Sequence, residues 1–139
     1  MRLSSSRFLL LCVTVAWAAI LASGTASAQS GDMLLSKDAI NHVGEIAEVC
    51  GLIAGARYAR KTRGDPTYLN FGKPFPDQEF SAIVWGADRR KFDIKPESLE
   101  GYKACVYGKI TLYQGKPQIV LKKAEQLNYA PPKKSAGQP

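Results

Sequence analysis

Histidine and cysteine are scarce in this sequence. His42 stands alone, and the cysteines are Cys12, Cys50 and Cys105. A zinc site usually takes four ligands drawn largely from these residue types, so no metal centre is expected. No Cys-x-x-Cys pair is present, which removes the common dithiol redox motif. A Gly-x-Ser-x-Gly nucleophile turn and a glycine-rich phosphate loop are also missing. Acidic residues number 12 against 19 basic ones, for a net charge of +7. A basic surface attracts nucleic acid, anionic lipid or acidic glycans, or serves solubility alone, and charge by itself does not choose among them.

Long apolar runs are lacking except near the start. Arg2 and Arg7 precede the run "FLLLCVTVAWAAILA" at residues 8–22, and Ala26-Ser27-Ala28 offers a small-residue cleavage site before Gln29. Residues 1–28 therefore read as a secretory signal peptide. The run is shorter than the roughly 20 apolar residues of a spanning helix, so stable membrane insertion is not expected after cleavage. Cys12 sits within the run and not at the cleavage site, which argues against a lipoprotein. The expected location is the periplasm or the exterior. There Cys50 and Cys105 remain as the two cysteines of residues 29–139, in a compartment that permits disulfides.

The rest reads as one small domain rich in strands. "SKDAINHVG", residues 36–44, predicts a short helix with Ser36 as N-cap and Gly44 as stop. Strands are predicted at 45–59, 67–71, 79–85, 102–113 and 117–127, with a helical turn near Pro96–Leu99 in the longer connection at 86–101. The first and fourth strands share a Val-x-Gly-x-Ile signature, "VCGLI" at 49–53 and "VYGKI" at 106–110. A small barrel needs strands that bend hard, and glycine permits this. The expected fold is all-β with short helices: a five-stranded OB-type β-barrel over 43–127. A leader and short helix precede it at 29–42, and a disordered Pro/Lys/Gly/Ser-rich tail follows at 128–139. With Val49, Ile53, Val106 and Ile110 facing the core, both thiols face away from it. The first and fourth strands of such a barrel are antiparallel neighbours, so a cross-strand disulfide between Cys50 and Cys105 is reasonable; two free thiols are the alternative.

The segments "HVGEIAEVCGLI", "PTYLNFGKPFP", "FSAIVWG" and "YKACVYGKITLYQGKPQIVLKK" resemble small bacterial OB-fold nucleic-acid-binding domains, over roughly residues 40–125. These occur as secreted single domains or as modules attached to nucleases. The resemblance implies binding along the second and third strands and their flanking loops.

Single-strand binders combine basic side chains with stacking aromatics in that region. Here it would hold Arg57, Arg60, Lys61 and Arg63, four cations within seven residues around the first loop. Tyr68 and Asn70 share a face of the second strand, Lys73 and Phe75 lie in the next loop, Trp85 ends the third strand, and Lys116 sits in the last hairpin. Each has a plain competing role: Tyr68 and Trp85 as caps on the core, the basic cluster as a solvated loop. Arg89-Arg90-Lys91 is a second basic run farther from the expected groove. Asp65, Asp77 and Glu79 could approach one another, though their spacing does not demand it, and with Arg63 beside Asp65 no complete nuclease set is visible. The expected activity is thus non-catalytic, without cofactor. The expected partner is single-stranded DNA or RNA; the alternative is an envelope protein, in an interaction or stress-related module that touches no nucleic acid.

Overall fold

A computed structural model of the protein describes residues 33–132. The signal-peptide reading at 1–28 and the last residues of the expected tail lie outside them. Eight strands make up the described chain: β1 (Met33–Leu35), β2 (Ile46–Tyr58), β3 (Thr67–Phe71), β4 (Phe80–Val84), β5 (Lys103–Lys109), β6 (Thr111–Tyr113), β7 (Lys116–Leu121) and β8 (Leu127–Ala130). Short 3-10 turns occupy Ser36–His42, Arg89–Lys91, Pro96–Leu99 and Ala124–Gln126. The fold is all-β, and its strand order is β6-β7-β4-β3-β2-β5-β8, with β1 parallel against β2.

β2 is long enough to serve two ladders. Its first half pairs antiparallel with β5, from Ile46 opposite Lys109 to Leu52 opposite Lys103. Its second half pairs antiparallel with β3, from Ile53 opposite Phe71 to Tyr58 opposite Thr67, with a register shift between Ile53 and Gly55. A bulge of this kind bends a strand and leaves main-chain groups outside the ladder. They are satisfied by neighbouring segments: Ile53 N donates to Tyr102 O, Gly101 N to Ile53 O, and Ala56 N to the Glu100 carboxylate at 3.1 Å. Period-2 alternation then sends Val49, Ile53, Leu69, Phe71, Phe80, Ala82, Val106 and Ile119 into the core, all without exposed surface.

The glycines of the repeated Val-x-Gly-x-Ile signature serve close approach. A Cβ at Gly51 would lie 2.9 Å from Ser36 Oγ, and one at Gly108 would lie 2.8 Å from Ile119 Cγ2. Gly51 thus lets the Ser36–His42 turn seat Ala39 in the core, and Gly108 lets β7 pack across β5.

The structure corrects several expectations. The closed barrel is not formed: among the described residues no ladder joins β5 to β7. The outer edge of β5 is taken by β8 over residues 103–106, and Gln126 Nε2 donates to Tyr107 O at 3.0 Å. The chain itself spans the gap, since β7 runs through the Ala124–Gln126 turn into β8. The expected tail therefore begins with an ordered strand. The expected single strand at 102–113 breaks at the buried Ile110, whose N–H donates to Glu45 O and whose carbonyl accepts from Gly44 N. Residues 33–35 of the leader form β1, and Ser36 is not a cap. Leu35 holds that position, while Ser36 Oγ donates to Glu79 Oε2 at 2.8 Å.

Two side-chain links tie distant parts of the sheet. Cys50 and Cys105 are direct cross-strand partners with Cα atoms 4.0 Å apart, and they are disulfide-bonded. Arg89 anchors the connection between β4 and β5. Its guanidinium lies 3.7 Å from the centre of the Tyr58 ring, donates to the buried Thr67 hydroxyl, and pairs with both oxygens of Glu97 at 2.8 and 3.0 Å. The hydrogen bond from Arg89 holds the Glu97 carboxyl below its usual range, and the same bond raises Arg89.

Replacing both bonded cysteines by alanine should lower stability by about 4 kcal/mol on the loop-entropy relation, for a sequence separation of 55 residues; urea unfolding measures this, and an unchanged midpoint would contradict it. The depressed Glu97 carboxyl gives a second expectation. Its contribution is complete above the ordinary glutamate value of about 4.3 and is lost as pH falls through the lower folded value. Glu97→Gln should therefore lower Tm at pH 7 and make less difference near pH 3; an equal loss at both pH values would show that the ion pair does not contribute.

Candidate functional site

The core residues of β3 and β4 leave their alternate positions on the opposite face. Two cross-strand rows form there. Arg57 stands opposite Tyr68, Tyr68 opposite Ile83, and Ile83 opposite Val120. In the second row Gly55 is followed by Asn70, Ser81 and Gln118. On a face turned away from the core these residues would ordinarily be wet. Asn70, Ser81 and Ile83 are instead buried, because the loop carrying Phe75, Pro76 and Gln78 and the hairpin from Tyr113 to Pro117 rise at its sides.

The result is a groove of about 500 Å³. Tyr68, Asn70, Ser81, Ile83 and Gln118 form its floor. Arg57, Ala59 and Thr62 border one side, Phe75, Pro76 and Gln78 another, and Tyr113, Gln114, Lys116 and Pro117 a third. Ser81 Oγ donates to Asn70 Oδ1 at 3.0 Å, which fixes the orientation of the Asn70 amide. Lys116 Nζ donates to Gln78 O at 3.0 Å, tying the hairpin to the opposite loop and holding the ammonium at the groove.

Three aromatic residues line the groove. Tyr68 is half-buried, while Phe75 is 73% and Tyr113 58% exposed. Exposed rings of this size, without a packing role, present flat faces to a ligand. Arg57 is exposed and adds a second cation beside Lys116. The groove can therefore take a flat, partly apolar group against its aromatic residues, with anionic groups at its rim and polar floor atoms to meet its edge.

Of the residues expected at the site, Arg57, Tyr68, Asn70 and Lys116 are brought together, with Phe75 beside them. Arg60, Lys61, Arg63 and Lys73 are exposed but do not line the groove. The loop contributes Ala59 and Thr62 instead, while Arg60 leans over the Tyr58 ring at 5.5 Å and Lys61 N donates to Asp65 Oδ1 at 3.0 Å. Trp85 also lies outside the groove and packs across Gly64; a Cβ there would come within 2.9 Å of the indole. Arg89 is committed to Tyr58, Thr67 and Glu97. Asp65, Asp77 and Glu79 do not assemble into a cation-holding group among the described residues. Glu48 approaches the two sulfurs, but these are joined in the disulfide.

Sequence reasoning missed Tyr113, Gln78 and Gln118. Tyr113 and Gln118 flank the Gly-Lys-Pro hairpin, so the hairpin was the one signal that could have found them.

No family model and no curated protein matches the chain. Among solved structures, a chain solved as an aspartyl-tRNA synthetase from Leishmania major Friedlin superposes with a TM-score of 0.46 at 8% identity. The match covers 76% of this chain and 22% of that one, so this chain spans about a fifth of its length.

Proposed function

We propose that the chain is a secreted or periplasmic OB-type module that binds single-stranded DNA or RNA in this groove and catalyses no reaction of its own. One observation carries the reading: Tyr68, Phe75 and Tyr113 share a single groove with Arg57 and Lys116. Bases stack on aromatic faces whatever their identity, and cations follow the phosphates. The strand order supports an OB-type reading, with the grooved face built on β3 and β4, where such domains bind. The disulfide is in keeping with an oxidising compartment. No helix among the described residues is long and apolar enough to cross a membrane.

The test is fluorescence anisotropy with a labelled oligonucleotide about 12 nucleotides long. If Arg57 and Lys116 each neutralise one phosphate, they contribute about −1.4 to the slope of log affinity against log salt. The Arg57→Ala, Lys116→Ala double variant should flatten the slope more than the Arg60→Ala, Lys61→Ala, Arg63→Ala triple variant. Tyr113→Ala should weaken binding by about tenfold, the size of one lost stacking contact. Salt-independent binding, or a Tyr113→Ala variant as tight as wild type, would contradict the assignment. Complete indifference to oligonucleotides at low salt would favour an envelope protein-interaction module instead.

A further inference from the structure

Five polar side chains are buried among the described residues: Ser36, Thr67, Asn70, Gln78 and Ser81. Four are hydrogen-bonded, Ser36 to Glu79, Thr67 to Arg89, and Asn70 to Ser81. Gln78 is the exception. Only 9% of it is exposed, and its Oε1 is buried without a hydrogen-bond partner among the described residues. Native proteins rarely leave a buried acceptor in this state, because burial removes the water that would otherwise bond it. Gln78 also borders the groove, beside Phe75 and Pro76.

The main chain at the same residue is held firmly. Its carbonyl accepts from Lys116 Nζ, and its neighbour Glu79 donates N–H to Phe71 O at 3.1 Å. The backbone is thus pinned while the amide oxygen has nothing to retain it. Turning that amide into the groove sacrifices no hydrogen bond of the oxygen.

We infer that Gln78 is the base-reading residue of the groove. Swung inward, its amide presents an acceptor and a donor side by side. Glutamine uses this pairing against adenine, whose amino group donates and whose adjacent ring nitrogen accepts. The aromatic rings hold the base by its faces, and Gln78 reads its edge. The inference rests on the nucleic-acid reading of the groove proposed above. It goes further by giving the site a preference for a base with an amino group.

The experiment compares oligo-deoxyadenosine with the same length of N6,N6-dimethyl-deoxyadenosine, which keeps the ring and phosphates but lacks the amino donor. Wild type should prefer the unmodified strand by about tenfold. Gln78→Met should abolish that preference while leaving the salt slope unchanged. The same variant removes a buried unpaired acceptor, so the Tm of the free protein should rise by about 4 °C. A wild type that binds both strands equally overturns the inference and leaves the proposed function standing. So does a Gln78→Met variant that keeps the preference, or one whose Tm falls. A wild type that binds neither strand overturns the proposed function as well.

Discussion

One strand carries two ladders, and the rest of the structure depends on it. β2 pairs with β5 over its first half and with β3 over its second, and the shift between Ile53 and Gly55 lets it pass from one to the other. A bend there exposes main-chain groups that cannot be left dry. Leu52 O, Ile53 N, Ile53 O and Ala56 N are instead bonded by Gly72, Tyr102, Gly101 and Glu100. The long connection before β5 is therefore part of the bend. Arg89 reinforces that tie from the other side, through Tyr58 on β2 and Thr67 on β3.

The bend separates two outer faces. On the first half of β2, the face turned from the core carries Cys50, which bonds Cys105 on the adjacent strand. On the second half, the corresponding face carries Arg57 and opens into the rows built by β3, β4 and β7. The groove exists because loops cover the margins of this second face and leave its middle open. Its floor is fixed by the bond between Ser81 and Asn70, and its hairpin wall by the bond from Lys116 to Gln78.

Much of this was legible in the sequence, for identifiable reasons. Alternation and strand propensity located β2, β3, β4, β5 and β7, and alternation placed Tyr68 and Asn70 together on one face of β3. The Val-x-Gly-x-Ile repeat identified β2 and β5 as partners, and with them the cysteine pair. Charge density was a poorer guide. The run from Arg60 to Arg63 looks like a binding loop, but turn geometry points its small neighbours Ala59 and Thr62 at the groove. Trp85 is a large aromatic just after β4, but its ring packs across Gly64 and lies outside the groove. β8 was hidden because its partner, β5, lies more than twenty residues back and its flank is rich in proline and lysine. Gln78 belongs to no sequence pattern; its buried acceptor without a donor is visible only in the folded structure.

The central claim is that the face of β3 and β4 between the Phe75 loop and the Tyr113 hairpin is the binding surface. Amide and aromatic NMR shifts, followed while a single-stranded oligonucleotide is titrated in, test it most directly. The account predicts that the largest changes fall on Arg57, Tyr68, Asn70, Phe75, Tyr113 and Lys116, with the disulfide face of β5 and β8 unmoved. Changes centred on Trp85 and residues 60–63, or on the Cys50–Cys105 face, would contradict it.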